Sequence, residues 1–144
     1  MTKIRICYKD TEIGTIPEDW EVKKLGDLSQ IKRGASPRPI SDKKWFSDNS
    51  NVGWIRISDV TSSKKYLNKT EQYLSLEGIK KSRPVNKGDL IMSICASIGV
   101  PIILNMDACI HDGFVVYSNL DEKILNKEYL YYFIEKMQNV FKSY

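Results

Sequence analysis

Histidine, clustered cysteine and glycine-rich loops are what this chain lacks, and each absence removes a class of chemistry. One histidine, His111, stands beside one aspartate in Cys109-Ile110-His111-Asp112-Gly113. A single such pair at a strand entrance reads as a hydrogen-bonded turn, without the partners that acid–base catalysis requires. The three cysteines, Cys7, Cys95 and Cys109, form no CxxC pair, so a zinc site has neither a second His nor clustered Cys at ligand spacing. No Walker-type phosphate loop and no GxGxxG fingerprint occur, so ATP or a methyl donor has no cradle. Glu21-Val22-Lys23 supplies the Glu-x-Lys half of a nuclease motif, but no Pro-Asp pair precedes it, and it reads as ordinary alternating charge. The longest apolar run, Leu90 to Leu104, is too short to span a bilayer and contains Gly99 and Pro101. Cys95 and Cys109 lie in apolar runs, where cysteine behaves as a small hydrophobe. No signal peptide is seen, and a soluble protein of the reducing cytoplasm is expected. The chain is expected to catalyse nothing and to bind no cofactor or metal.

What is present is cation. The 144 residues make one ordinary domain, with 42% hydrophobic and 28% charged residues and a formal net charge of +4. That charge is uneven. Residues 1–31 carry a net −1 and residues 88–144 a net −3, whereas residues 32–87 hold thirteen Lys/Arg against five acids, a net +8. A basic middle segment suits a polyanion.

The local patterns predict a mixed α+β domain. Residues 1–12 read as an extended N-terminal lead-in to a single domain over 13–144. Gly14 and Pro17 punctuate a turn, and Glu21 to Leu25 reads as a short strand. Gly26 to Ile31 leads, as a turn of helix or a strand, into a basic loop that Pro37 and Pro39 keep irregular. Trp54-Ile55-Arg56-Ile57 is predicted as a strand with Trp54 and Arg56 on one face, ending in a Ser58-Asp59 turn. Gln72 to Leu74 is a short strand, and Ser75 caps one or two helical turns that stop before Pro84. A turn at Val85 to Asp89 enters a buried hairpin of Leu90 to Ile94 and Val100 to Leu104, followed by a strand over Gly113 to Tyr117. Leu130, Phe133/Ile134, Met137, Val140/Phe141 and Tyr144 recur at helical spacing, so an amphipathic helix begins near Asn126. Its apolar stripe runs to the last residue, as expected of a domain truncated at its C-terminal end.

The stretch from Gly34 to Val60 organises these expectations, because cations and aromatics gather there. Phosphate contacts need Lys and Arg on loops that reach a nucleic-acid backbone. Lys32, Lys43, Lys44, Lys64, Lys65, Lys80 and Lys81 fit. Base readout needs forked or polar groups on a rigid element. Arg38 and Arg56 are the first candidates, with Ser58 and Asp59 at the strand end. Arg33, Ser36, Trp45 and Arg83 complete the expected DNA-binding surface over residues 32–65 and 80–83. Trp20, Trp45 and Trp54 read as core or loop anchors before base-stacking platforms.

The order of several motifs resembles a known family. These are Tyr8-Lys9-Asp10-Thr11-Glu12-Ile13-Gly14-Thr15-Ile16-Pro17-Glu18-Asp19-Trp20-Glu21-Val22, Leu25-Gly26-Asp27, Lys32-Arg33-Gly34-Ala35-Ser36-Pro37 and Gly53-Trp54-Ile55-Arg56-Ile57-Ser58-Asp59-Val60. Pro84-Val85-Asn86-Lys87-Gly88-Asp89-Leu90-Ile91-Met92-Ser93 and Asn126-Lys127-Glu128-Tyr129-Leu130-Tyr131-Tyr132-Phe133 follow. In this order they resemble a target-recognition domain of the specificity (S) subunit of type I restriction–modification systems. The resemblance implies a β-rich DNA-methylase-specificity-type domain with a C-terminal amphipathic helix, reading one half of a split duplex DNA target inside a larger, non-catalytic subunit. It implies modification (methyltransferase) and restriction (endonuclease) subunits as partners, with S-adenosylmethionine, ATP and Mg on those subunits and no membrane. It transfers no particular base-reading residue, since such domains vary most where they touch bases. The competing class is a protein-interaction module that docks through the C-terminal helix, as a truncated subunit modulating a complex would. The exposed stripe of that helix also allows self-association.

Overall fold

The computed structural model describes residues 6–143. Two strands open it as a hairpin, β1 (Tyr8–Thr11) and β2 (Gly14–Pro17), with Tyr8 opposite Pro17 and Thr11 opposite Gly14. The boundary expected between residues 12 and 13 therefore falls at the tip of this hairpin. The strand expected over Glu21 to Leu25 is absent. Residues 20–24 find no neighbouring strand, and a short helix, α1 (Leu25–Leu28), follows them directly. Then come β3 (Gln30–Arg33), the loop through Pro37 and Pro39, and a 3-10 turn (Lys43–Trp45) capped by the Asp42 carboxylate on Lys44 N.

The middle of the chain alternates short strands and short helices: β4 (Gly53–Ile55), α2 (Ile57–Thr61), β5 (Tyr66–Leu67), β6 (Gln72–Tyr73), α3 (Leu76–Lys80) and β7 (Arg83–Val85). Ser75 caps α3 as expected, its hydroxyl accepting from Gly78 N at 3.2 Å. Gly88, at φ 95°, turns the chain into β8 (Leu90–Ser93), which pairs antiparallel with β9 (Pro101–Leu104) in the expected hairpin. β10 (Ala108–Ile110) and β11 (Phe114–Ser118) follow. The terminal helix α4 (Lys127–Lys136) starts where Asn126 accepts from Tyr129 N at 3.0 Å. It stops at Met137, after which α5 (Gln138–Phe141) restarts, and Phe141 packs in the same cluster as Leu130 and Ile134. The last position of the expected stripe, Tyr144, lies outside the described residues.

Two sheets make the body, in strand orders β6-β4-β10-β7 and β3-β11-β8-β9-β5. Strand alternation sorts the buried apolar residues of the strands into layers. Ile55, Val85, Ala108 and Ile110 of the first sheet meet Ile91, Ile102, Leu104, Phe114 and Val116 of the second, forming the inter-sheet core. The opposite face of the second sheet presents Leu90, Met92, Ile103 and Tyr117 to Leu130, Tyr131 and Ile134 of α4. The opposite face of the first presents Trp54 and Cys109 to Leu74, Phe46 and Ile79. Each fully buried aliphatic side chain contributes about 1.5–3 kcal/mol over exposure. This architecture of helix, sheet, sheet and capping loop is α+β.

The two-faced burial corrects one expectation. The alternation predicts a strand running through Ile57, with Trp54 and Arg56 on one face. Instead Gly53, Trp54 and Ile55 are all buried, because β4 lies inside its sheet between β6 and β10 and is covered on both faces. The strand ends at Ile55, and Ile57 already begins a helix.

Candidate nucleic-acid interface

The parallel pairing of β4 with β10 puts their C-terminal ends side by side, Ile55 opposite Ile110. Arg56 therefore emerges next to His111. β7 runs antiparallel on the other side of β10, with Arg83 opposite Ile110, and so starts at the same end. β3 brings Arg33 opposite Val115 on the neighbouring sheet. Four segments far apart in sequence thus converge around the 110–114 turn.

The loop after β3 is stitched onto that turn by backbone and side chains together. Gly34 N donates to Phe114 O at 2.9 Å and Ala35 N to Ile110 O at 3.0 Å. The Ser82 hydroxyl donates to Ala35 O at 2.7 Å. Asp112 is the hub. Its carbonyl accepts from Arg33 Nε at 2.8 Å, its Oδ1 from the Ser36 hydroxyl at 3.0 Å, and its Oδ2 pairs with Arg38 at 3.3 Å. The Ser36 hydrogen bond holds the Asp112 carboxyl below the usual range, and the Arg38 charge acts the same way. His111 is tucked between Trp54 and Phe114, with ring centroids 5.8 and 4.8 Å away. Its Nδ1 accepts from Gly113 N at 2.9 Å, so the expected turn role is what the structure shows. Burial lowers its pKa, Arg56 adds to the lowering and Asp112 opposes it.

Not every expected contact residue reaches this surface. Trp45 is 5% exposed, with Nε1 donating to Pro39 O at 2.9 Å, so its ring anchors the loop and offers no stacking face. Asp59 is buried, and both its oxygens serve backbone: Oδ2 accepts from Arg56 N at 2.9 Å and Oδ1 from Glu71 N at 3.1 Å. It caps α2 and tethers the chain before β6, leaving Ser58 exposed beside it. Lys65 is taken by α4. It pairs with Glu128 at 3.2 Å, donates to the Tyr132 hydroxyl at 3.3 Å and lies over the Tyr66 and Tyr132 rings. The Tyr66 hydroxyl donates to the same Glu128 carboxylate. The Glu128 bond raises the Lys65 pKa, so the ammonium stays charged and engaged.

Nor do residues 32–65 form one patch. β3 and β5 are opposite edges of the five-stranded sheet, and four inter-strand steps separate them by about 19 Å. Lys64 and Lys65 thus lie at the far edge from Lys32 and Arg33. Lys43, Lys44, Lys80 and Lys81 share the layer outside the four-stranded sheet, where α3 packs on the 3-10 turn and Ser75 donates to Lys44 O at 2.6 Å. That layer adjoins the arginine cluster, because α3 runs directly into Ser82 and Arg83. The hub, Asp112, is the residue sequence reasoning missed. Its partners lie 74 to 79 positions away, so no local pattern points to it.

Among the described residues, no group of three or more His, Cys, Asp or Glu could hold a metal ion, and no helix is long and apolar enough to cross a membrane. Cys109 is buried and its thiol is pushed up to about 11 by desolvation, far from a nucleophile's range.

The chain is thus a two-sheet α+β domain with arginines gathered at one strand end. Its family follows from comparison with known proteins. The family model described as type I restriction modification DNA specificity domain matches residues 17–144, and the chain belongs to that family. It is similar to the type I restriction enzyme MjaIX specificity subunit of Methanocaldococcus jannaschii, at 29% identity over 128 residues, covering 87% of this chain and 28% of that protein. It is 32% identical to the MjaVIII specificity subunit of the same organism over 149 aligned positions, covering 94% of this chain and 32% of that protein. The fold is shared with the HsdS subunit from Thermoanaerobacter tengcongensis, with a TM-score of 0.69 at 19% identity, covering 88% of this chain and 30% of that one. A chain from a structure of type I R-M complex assembly and conformational transition gives 0.70 at 19% identity, covering 85% and 29%. The chain therefore spans under a third of the length of these relatives.

Proposed function

We propose that this chain binds duplex DNA through the strand-end surface that gathers Arg33, Arg38, Arg56 and Arg83, and reads one half of a split target. Within a larger assembly it positions methyltransferase and endonuclease subunits, which supply all the chemistry together with S-adenosylmethionine, ATP and Mg. The observation that carries this reading is the convergence of four arginines, from three separate segments, on one turn. Lys80 and Lys81 extend the same surface for phosphate contacts. Dense cation on paired strands and a stitched loop suits a polyanion whose base edges must be met in fixed register.

The test is retention of the purified chain on a randomised duplex pool at two salt concentrations, followed by sequencing. A short enriched motif is expected, with affinity falling on the order of a thousand-fold between roughly 50 and 200 mM salt if six phosphates are contacted. Retention without enrichment would reduce the surface to a nonspecific one. A second reading, a protein-docking module, is favoured by α4, whose Tyr129, Tyr132 and Phe133 remain 64%, 55% and 43% exposed. Apolar docking would be insensitive to added salt, and the same two-salt experiment separates the readings.

A further inference from the structure

Arg33 and Arg83 are held in a way the other cations are not. Arg83 Nε donates to the carbonyl of Arg33 at 3.0 Å, and Arg33 Nε donates to the carbonyl of Asp112 at 2.8 Å. A guanidinium anchored through Nε keeps its two terminal Nη groups as an end-on fork. In both residues those groups have no protein partner among the described residues. The backbones beneath them are strand residues, Arg33 paired with Val115 and Arg83 with Ile110. Ser82 fixes the approach to Arg83 by donating to Ala35 O, with a longer contact to Ile110 O. The nearest carboxylate, Asp112, is already engaged by Ser36 and Arg38.

Each guanidinium is fixed at Nε and open at Nη, so its fork is free to meet a pair of acceptors. A guanine in the major groove offers its O6 and N7 acceptors in the geometry of such a fork. We infer that Arg33 and Arg83 are the guanine readers of this surface, each taking the O6/N7 edge of one guanine. The assignment rests on the DNA-recognition reading above and deepens it. Arg38 and Arg56, the first candidates from sequence, are less prepared. Arg38 is 77% exposed with a single 3.3 Å ion pair, and the Arg56 side chain lies exposed at the start of α2. Ordering a free side chain on binding carries an entropy penalty that Arg33 and Arg83 have already met on folding. Arg38 and Arg56 are therefore suited to phosphates, which accept a charge from many directions.

Substitution by glutamine removes the guanidinium and leaves an amide that matches adenine, not guanine. The full chain and its Arg33→Gln and Arg83→Gln variants are selected on the randomised duplex pool. The enriched duplex is then remade with 7-deazaguanine, which lacks the N7 acceptor, at each guanine in turn. Each variant is expected to lose preference for guanine at one position by about ten- to a hundred-fold, with the preference at the other positions unchanged. 7-Deazaguanine at that position should weaken the wild-type chain and have no further effect on the matching variant. Glutamine variants that keep the wild-type motif would overturn the proposal, as would a wild-type chain indifferent to 7-deazaguanine at every guanine. The latter arm needs no variant to fold. An enriched motif without guanine dependence removes this assignment alone, whereas a wild-type chain that enriches nothing removes the recognition reading and this assignment with it.

Discussion

Replacing Gly34 by alanine tests whether the arginine-bearing loop is seated as described. A Cβ built there would lie 2.0 Å from the His111 carbonyl oxygen and 2.6 Å from Ile110 O. Both are backbone atoms at the end of β10, which is locked between β4 and β7 and cannot retreat. Gly34 is not among the positive-φ glycines, so its backbone conformation suits alanine and the clash is the only penalty. Without that clash the substitution would stabilise by about 0.4–1 kcal/mol through the unfolded state. With it, the loop must lift off. It then loses the Gly34–Phe114 and Ala35–Ile110 backbone bonds and strains the Ser36 and Arg33 contacts to Asp112. At about 0.5–1.5 kcal/mol net for each bond, offset by the entropy gain, the expected destabilisation is roughly 2–4 kcal/mol. Urea unfolding reads it directly. With a slope of about 1–3 kcal/mol per molar, the midpoint should fall by about 1–2 M. Gly26→Ala in α1, where an added Cβ meets nothing, is the control and should leave the midpoint equal or higher. A Gly34→Ala midpoint at or above wild type would refute the seating of the loop on β10.

The layers of the fold were legible where strand alternation and helix periodicity were strong. Leu90 to Leu104 reads as a hairpin because both its strands are apolar on both faces, as inner strands of a covered sheet must be. Asn126 announces α4 because its side chain can accept from the first turn. The segment after Trp54 hides its helix for an equally definite reason. A capping box is recognised by Ser or Thr at the helix start, and here Arg56 occupies that position, so only the acid half of the signature, Asp59, was present. Alternation then made Arg56 and Ile57 look like more strand.

The binding surface was legible as charge but not as geometry. Composition located the excess of cations in residues 32–87, yet it could not tell Lys65, locked to Glu128 and Tyr132, from Lys80, which is free in solvent. Strand order decides that, and strand order is set by long-range pairings such as β10 between β4 and β7. The same pairings promote His111 and Asp112 from a turn to the centre of the surface. A residue whose partners are reached only after the sheets close leaves no trace in its neighbours.

Three further outcomes follow from the placement of single side chains. Asp59→Ala would remove the part-buried acceptor of the Arg56 and Glu71 amides, lowering stability by about 1–3 kcal/mol in the same urea assay; an unchanged midpoint would show that water replaces the carboxylate. Lys65→Ala should leave DNA retention and its salt dependence at wild-type values, since that ammonium is engaged with α4; a shallower salt slope would make it a phosphate contact after all. The third concerns pH. His111 Nδ1 accepts from Gly113 N, so protonation would set two N–H groups against each other, in a site where burial already disfavours the charged ring. The flanking charges divide, Arg56 opposing protonation and Asp112 favouring it, and burial dominates. The folded-state pKa is thus below the unfolded value of about 6.5, and the unfolded chain binds more protons in the window below it. The stabilising contribution of the neutral ring is complete above pH 6.5 and is lost as pH falls from there toward the folded pKa, at no more than about 1.4 kcal/mol per pH unit. Asp112 acts in a separate window, since its lowered pKa removes stability only as pH falls below about 3.8. Urea unfolding of the wild-type chain should therefore weaken between pH 7.5 and 5.5, and His111→Gln should flatten that dependence. An equal slope in both proteins would show that the histidine is not the titrating group and that the 110–114 turn tolerates its charge.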